Sequence, residues 1–206
     1  SDSLTVNSEA GTDEAFSVAS TSTSSGSVTG PQTINFTGIE LVTISGTGGD
    51  MDTLNVNGTA ADDVISLTAG TTGDEISGDN VTTVVATGSF DRLTVSSGAG
   101  DDTLTIEPAD LGNADAYTFA DGAGDDDLVL LGTAAVDTVT SAVGAITFNG
   151  TLINYTDGGL NEILIRTFQS ADSVTITGLT DAVTVNTGSG GYTIDASAAG
   201  ASITLQ

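Results

Sequence analysis

Three glycine-rich segments of the chain each place aspartates immediately before a short run of aliphatic and β-branched residues. Glycine permits backbone bends in which carbonyl oxygens turn inward, and carboxylates beside such carbonyls offer the oxygen ligands that Ca²⁺ prefers. The types and spacing of these residues therefore predict calcium-binding turns. The three segments are Gly48-Gly49-Asp50-Met51-Asp52-Thr53-Leu54, Gly98-Ala99-Gly100-Asp101-Asp102-Thr103-Leu104 and Gly122-Ala123-Gly124-Asp125-Asp126-Asp127-Leu128.

The acidic turns stand among many short segments in which aliphatic residues alternate with Thr, Ser or Asn, such as Leu54-Asn55-Val56 and Leu104-Thr105-Ile106. A period of two residues indicates strands with one buried and one exposed face, and no segment has the period of a helix. The chain is therefore predicted to be all-β. The aromatic residues expected among the aliphatic stripes of the interior are Tyr117, Phe119, Phe148 and Tyr155.

The spacing of these segments indicates a repeat. Leu4, Leu54 and Leu104 lie 50 residues apart, and Leu128 follows Leu104 by 24, about half of that distance. Aspartates that precede strands form a second series with separations of 50, 52, 22 and 44 residues. Both series fit a unit of about 22–26 residues, sometimes doubled, as in stacked repeats. The second series consists of Asp13, Asp63, Asp115, Asp137 and Asp181.

The predicted fold is a single domain over residues 1–206, a parallel β-solenoid (β-helix or β-roll) with coils of about 22–26 residues. A unit this short buries its apolar face only against neighbouring copies. The chain begins with Ser1 rather than Met, so we expect a processed protein or a segment of a longer repeat protein. The alternative fold is an antiparallel β-sandwich, with hairpin loops at residues 19–26 and 69–73.

The clearest internal match covers residues 52–65 and 126–139. Both contain Gly-Thr-Ala-Ala-x-Asp, as Gly58–Asp63 and Gly132–Asp137. In a parallel stack, equivalent residues of adjacent coils lie about 4.8 Å apart, so identical carboxylates repel one another. A divalent cation between the coils would turn that repulsion into a crosslink.

These turns and the Gly-Thr-Ala-Ala-x-Asp segments resemble repeats-in-toxin (RTX) calcium-binding β-solenoid repeats of large secreted or surface proteins of bacteria. The resemblance is best over residues 39–140 and implies a parallel β-roll, calcium between turns, and folding outside the cell. The turns are not consecutive nonapeptides, so we expect about two to four sites. By position, the resemblance implies the ligands Asp52, Asp102 and Asp126, bends shaped by Gly98, Gly100, Gly122 and Gly124, and the further candidates Asp50, Asp63, Asp101, Asp125 and Asp137.

Each group of aspartates also has a simpler interpretation. Asp101-Asp102 and Asp125-Asp126-Asp127 suit solvated, charged turns that limit aggregation. Asp63 and Asp137 suit tight turns that an aspartate caps by hydrogen bonds to its own backbone. Adaptation to high salt is another explanation of the acidity.

Composition excludes several classes of function. The chain has 28 acidic and 2 basic residues, a formal net charge of −26, and no histidine, cysteine or lysine. Such a surface forms no basic patch for nucleic acid, and no apolar run is long enough to insert into a membrane. Nucleophilic triads and zinc sites need residues that are missing, so we predict no enzyme activity. The two cations, Arg92 and Arg166, are expected to pair with nearby carboxylates.

We therefore expect a calcium-stabilised extracellular structural protein, a building block of a fibre, surface layer, matrix or adhesin stalk. End-to-end self-association is expected, because strand-like segments lie close to both termini. The alternative is an adhesin or ice-binding module that uses a flat, threonine-rich face, with cell-surface glycans as candidate partners. A polysaccharide-cleaving enzyme is a third candidate and rests on analogy of fold alone. The predicted location is secreted, at the cell surface.

Overall fold

The computed structural model describes residues 1–156 and 159–206, and over these residues the protein is all-β. Twenty-one strands, numbered in chain order, form two sheets of ten and eleven strands. The one helical element in the described chain is the 3-10 turn Pro108–Asp110, and no helix there is long and apolar enough to cross a lipid bilayer. The prediction of an all-β protein is confirmed.

The first sheet has ten strands, with the spatial order β1-β5-β9-β8-β7-β11-β13-β17-β19-β21. Its strands are β1 (Ser3–Asn7), β5 (Leu41–Gly46), β7 (Val64–Ala69), β8 (Asp74–Gly78), β9 (Thr83–Gly88), β11 (Thr103–Ile106), β13 (Asp126–Leu131), β17 (Leu160–Arg166), β19 (Ala182–Asn186) and β21 (Ile203–Leu205).

The second sheet has eleven strands, with the spatial order β20-β18-β14-β15-β16-β12-β10-β6-β2-β3-β4. Its strands are β2 (Ala15–Ser22), β3 (Ser25–Thr29), β4 (Thr33–Thr37), β6 (Thr53–Asn57), β10 (Arg92–Ser96), β12 (Tyr117–Ala120), β14 (Thr138–Ala142), β15 (Ala145–Phe148), β16 (Thr151–Asn154), β18 (Ser173–Thr177) and β20 (Thr193–Ala198).

Alternation of residue types explains why these segments form strands. In β6, Leu54 and Val56 are buried and Asn55 between them is partly exposed, because successive side chains of a strand point to opposite faces. Inward residues of both sheets join one hydrophobic cluster. The four aromatic residues predicted for the interior are all buried, namely Tyr117, Phe119, Phe148 and Tyr155.

The chain alternates between the two sheets, and parallel pairing dominates. Thirteen of the nineteen pairings between described strands are parallel. In each parallel pairing, a strand lies beside a strand that the chain contributed to the same sheet the last time it passed through that sheet. Leu93 of β10, for example, pairs with Leu54 of β6 on one side and with Tyr117 of β12 on the other.

The other six pairings are antiparallel and belong to three meanders, β2-β3-β4, β7-β8-β9 and β14-β15-β16. In the second, β9 pairs with the earlier strand β5, whereas β7 pairs with the later strand β11. The two segments proposed as hairpin loops of a sandwich, residues 19–26 and 69–73, lie at the first turns of two of these meanders.

The meanders correct the predicted repeat length. Parallel partners are close in sequence where no meander intervenes, as for Leu104 and Leu128, and much further apart where one does, as for Val42 and Val84. The predicted unit of about 22–26 residues, sometimes doubled, therefore describes the register only where no meander intervenes. The regular spacing of Leu4 and Leu54 does not reflect register either, because these residues lie in different sheets and Leu4 pairs with Val42.

Candidate functional site

The acidic turns connect one sheet to the other, and they fall into two sets. Turns from the second sheet to the first contain Asp63, Asp102 and Asp126, and they stack on one another. Turns from the first sheet to the second contain Asp52 and Asp137. The predicted ligands therefore do not converge on one centre.

Buried carboxylates in successive turns of both sets are joined by hydrogen bonds that we call the carboxylate ladder. The backbone N–H of Asp63 donates to Asp102 Oδ1 at 2.7 Å, and the N–H of Asp102 donates to Asp126 Oδ1 at 2.9 Å. Each of these three side chains is at most 1% exposed. The same link joins the N–H of Glu14 to Asp52 (3.1 Å), of Asp137 to Asp172 (3.0 Å) and of Leu160 to Asp181 (3.0 Å).

A second, exposed row of aspartates runs beside the ladder with the opposite direction of donation. Asp101 N–H donates to Asp62 Oδ1, and Asp125 N–H donates to Asp101 Oδ1, both at 3.0 Å. The paired aspartates of each turn therefore face different environments. One is buried and accepts from the preceding turn, and the other is exposed and accepts from the following turn.

The second oxygen of several ladder carboxylates closes its own turn. Asp63 Oδ2 accepts from the Thr59 N–H at 2.6 Å, and Asp137 Oδ2 accepts from the Thr133 N–H at 3.0 Å. Both threonine hydroxyls also contact the same aspartates. The two Gly-Thr-Ala-Ala-x-Asp segments thus form the same turn, and the capping interpretation given for Asp63 and Asp137 is confirmed. Asp52 Oδ2 accepts from the Thr47 N–H in the same way, at 2.8 Å.

Glycines allow the acidic turns to stack closely. Gly98, Gly100, Gly122 and Gly124 all have φ between 85° and 142°, a region in which residues with a Cβ are strained. A Cβ on Gly124 would lie 1.8 Å from the Gly100 carbonyl oxygen. The Gly98 carbonyl accepts the Ala123 N–H at 3.1 Å, so the bends pair with one another through their backbones.

Two ladder carboxylates each have one fully buried oxygen that lacks a hydrogen-bond partner among the described residues. These atoms are Asp102 Oδ2 and Asp172 Oδ2, and both are buried. Asp74 provides a contrast within the same protein. It is equally buried but accepts from the N–H groups of Gly112 and Asn113 and from the Tyr117 hydroxyl. An unpaired buried carboxylate oxygen costs free energy unless a proton, water or cation satisfies it.

Negative charge is concentrated around Asp126. Burial is the main reason that its pKa is raised from 3.8 to about 6, and the charges of Asp102, Asp121 and Asp101 contribute to the shift, whereas the hydrogen bond from Asp102 N–H opposes it. A group in this position favours either a proton or a nearby cation. Asp102 and Asp126 are therefore the predicted ligands whose environment best fits Ca²⁺.

A complete metal centre does not appear among the described residues, because no three or more His, Cys, Asp or Glu side chains converge there. Of the predicted ligands, Asp50 contacts the Gly11 N–H and the Thr47 hydroxyl, and Asp125 lies exposed in the outer row. Asp63 and Asp137 have both oxygens engaged by protein donors.

Comparison with protein-family models, curated protein sequences and solved structures finds no match. The resemblance to RTX repeats therefore stands on the turn sequences alone.

Sequence reasoning missed one turn of the same kind. Residues 167–172 run from Thr167 to Asp172 with the five-residue spacing that separates Ser97 from Asp102. Phe168 and Ser170 have positive φ, as Gly98 and Gly100 do in the acidic turn. A search for a hydroxyl residue followed five positions later by aspartate would have found this turn, whereas a search for glycines does not.

Proposed function

We propose that this protein is a structural element of an extracellular assembly, built as a β-solenoid whose acidic turns are reinforced by calcium. The carboxylate ladder is the observation that carries the proposal. It links the turns of successive strands on both sets of connections, through side chains that are almost completely buried. Links of this kind hold neighbouring turns at a fixed separation, and they therefore serve rigidity.

The register of the strands supports the solenoid. Each visit to a sheet adds a parallel strand beside the previous one, and inward residues stay aligned, as in the row Ile65, Leu104, Leu128 and Ile163. The three meanders widen the sheets without interrupting this order. We therefore interpret the two sheets as two faces of one stack, with the turns along its flanks.

Calcium is supported by the unpaired Asp102 Oδ2 and by the charge around Asp126. A cation beside these two carboxylates would satisfy the free oxygen and neutralise the repulsion that, together with burial, raises the pKa of Asp126. Sites with few carboxylates bind calcium at about 0.1–1 mM, which suits the extracellular calcium concentration. For this reason we propose a secreted or surface location.

Association end to end is supported by the outermost strands. In the second sheet, β4 has four of its five residues exposed, and Ile34 within it is 37% exposed. A groove of about 430 Å³ opens beside it, with Phe16, Val28 and Ile34 in its lining. A strand with one free edge beside an open apolar groove suits the addition of a further strand, from a second copy or from more of the same polypeptide.

The ice-binding alternative receives less support from the register. A flat array requires one uninterrupted row of threonines, but in the first sheet Thr43 is followed by Val85, and Thr105 by Val129 and Leu164. The outward threonines of the first sheet are thus dispersed among aliphatic residues. We do not propose ice binding for this chain.

Thermal unfolding of the full chain in calcium and in EGTA, at fixed ionic strength, tests the calcium proposal. One site filled at ten times its Kd stabilises the fold by about 1.4 kcal/mol, which raises the unfolding temperature of a domain of this size by about 3–6 °C. Asp102→Asn should remove this increment. Asp74→Asn should lower stability equally in both buffers, because Asp74 already has protein donors. An unchanged unfolding temperature on chelation would refute the role of calcium.

Sedimentation over a range of concentrations in calcium tests end-to-end association. Ile34→Lys places a charge on the outermost strand β4 and should shift the protein toward monomer. The control is Val143→Lys, because Val143 is 70% exposed in the turn between β14 and β15, away from the strand edges. A wild-type protein that stays monomeric at all concentrations would contradict association between copies.

A further inference from the structure

Phe168 occupies a backbone position that comparable turns fill with glycine. Its φ is 55°, in the left-handed region, where a bulky residue is rare and strained. The next turn of the same set has Gly188 at φ 62°, packed so closely on Phe168 that a Cβ there would lie 1.7 Å from the Phe168 carbonyl oxygen. A phenylalanine therefore replaces the residue that this bend favours.

Burial does not compensate for this strain, because the Phe168 side chain is 44% exposed. The ring does not complete the hydrophobic core, which is formed by the inward residues of the strands. Strained, exposed residues held by a rigid framework are characteristic of binding sites. The structure thus presents an aromatic ring to solvent on the turn between β17 and β18.

Arg166 lies two residues before Phe168, at the exposed end of β17. It was predicted to pair with a carboxylate, but it forms no ion pair with any described residue. In a chain with 28 acidic residues and only two arginines, such a guanidinium is notable. Its charge therefore remains available for a ligand.

Both residues line one surface groove of about 510 Å³, which we call the Arg166 groove. No carboxylate of the described chain lines it, whereas each of the other four prominent grooves contains at least one Asp or Glu. Asp172 of the same turn is buried, and its Oδ1 is held by the Asp137 N–H. The residues of the Arg166 groove are Arg166, Phe168, Gln169, Asn186, Gly188 and Ser189.

We propose that the Arg166 groove binds a sugar that carries a carboxylate, such as a uronic acid unit of an acidic polysaccharide. The guanidinium matches a carboxylate with two parallel hydrogen bonds, and the flat ring of Phe168 offers an apolar surface to the C–H face of a sugar. The amides of Gln169 and Asn186 and the hydroxyl of Ser189 are suited to sugar hydroxyls. The proposal is independent of calcium and of self-association.

The net charge of −26 does not prevent this binding. At physiological ionic strength, charges more than about 8 Å apart are largely screened, whereas the guanidinium acts at hydrogen-bond distance. A nucleic acid fits less well, because one cation cannot neutralise a run of phosphates. The observations favour a ligand with one carboxylate beside an apolar sugar face.

Titration calorimetry with a galacturonic acid trimer, in EGTA and about 150 mM salt, the physiological ionic strength, tests the proposal. Its methyl ester is the neutral control and should bind at least about tenfold more weakly, because it cannot accept both guanidinium hydrogen bonds. Arg166→Gln should weaken binding by a similar factor, whereas Arg92→Gln, at the other arginine, should leave it unchanged.

Phe168→Gly separates a binding role from a structural role. If the ring serves the ligand, glycine at this position should abolish binding while the unfolding temperature stays the same or rises, since the strained bend is relieved. Equal binding of the acid and its ester, equal effects of both arginine variants, or a large fall in unfolding temperature with binding retained would each overturn the proposal. So would the absence of binding by the wild-type protein.

Discussion

The turns at residues 97–102 and 167–172 share one backbone design but differ in what they expose. Each starts with a hydroxyl residue at a strand end, passes through two residues with positive φ, and ends in a buried aspartate with one oxygen unpaired among the described residues. In the first turn the bend contains glycines, and carboxylates crowd its exposed row. In the second the bend contains phenylalanine and serine, and Arg166 precedes it.

This difference separates two uses of one bend. Glycines let the turn at 97–102 pack against the turn at 121–126 through backbone contacts. This turn therefore stabilises the fold by linking neighbouring strands. Phe168 strains the equivalent bend but projects an apolar ring outward. We propose that this ring contacts a ligand. The same repeat can therefore serve as a structural link in one place and as a binding surface in another.

The largest effect is expected where the glycine bends stack. Gly124→Ala would place a Cβ 1.8 Å from the Gly100 carbonyl oxygen, at φ 142°, and should cost about 3–4 kcal/mol of unfolding free energy. Urea denaturation measures this loss. Gly112→Ala is the matched control, because no atom lies within 4 Å of a Cβ there, and the two variants should differ by most of that amount. Equal stability would show that the bends do not pack as described.

The pH dependence of stability should reveal the charge around Asp126. Its pKa is about 6 in the folded protein and 3.8 ordinarily, so the folded state holds the proton more tightly. In EGTA its contribution to stability should therefore be largest below about pH 4 and be lost as pH rises through 6, by roughly 2–3 kcal/mol at most. Asp126→Asn should flatten the profile between about pH 4 and 7. Calcium should also flatten it, if it replaces the proton.

Asp63 and Asp102 are equally buried, yet replacing each by asparagine should change the unfolding free energy in opposite directions. Asp63→Asn disrupts acceptance from the Thr59 N–H and hydroxyl and should cost about 1–2 kcal/mol in either buffer. Asp102→Asn removes a charge and an unpaired oxygen, so in EGTA it should be neutral or stabilising. Chemical denaturation of both variants measures the difference, and similar losses would show that Asp102 is satisfied in solution.

The smallest expected difference in unfolding free energy is between variants at the first residues of the two turns, Ser97 and Thr167. The Ser97 hydroxyl donates to the Asp121 carbonyl, so Ser97→Ala should cost about 1 kcal/mol. The buried Thr167 hydroxyl has no partner among the described residues, so Thr167→Val should change the unfolding free energy by less than about 0.5 kcal/mol or increase it. A clear loss for Thr167→Val would indicate that water or an ion contacts this hydroxyl.

Local patterns correctly predicted the all-β class and the four aromatic residues of the interior. Alternation identifies the buried face of a strand such as β6, and Asp102 and Asp126 were found because glycines mark their turns. Register was not predictable in the same way, because a meander adds two strands without altering the local pattern. Leu4 and Leu54 therefore looked equivalent, although one lies in each sheet.

The residues of the Arg166 groove were missed for a different reason. Phe168 violates the preference for glycine on which the motif depends, and strain is visible only once the backbone is known. Arg166 was noticed as a rare cation, but its sequence neighbours did not reveal that no described carboxylate lines the groove around it. The composition of a groove depends on residues that are distant in sequence, such as Asn186.

The order in which the meander strands lie in the first sheet also has a consequence for folding. β7 lies next to β11, which follows it, and β8 and β9 fill the space back to β5, which precedes it. β7 therefore pairs with no earlier strand. It connects to β5 only through β8 and β9, once the hairpins β7-β8 and β8-β9 have formed. Hairpin contacts are local and form faster than parallel pairings between distant segments, such as that of Val42 with Val84. Folding would then proceed by blocks, with each meander acting as a nucleus onto which the simple strands are subsequently added.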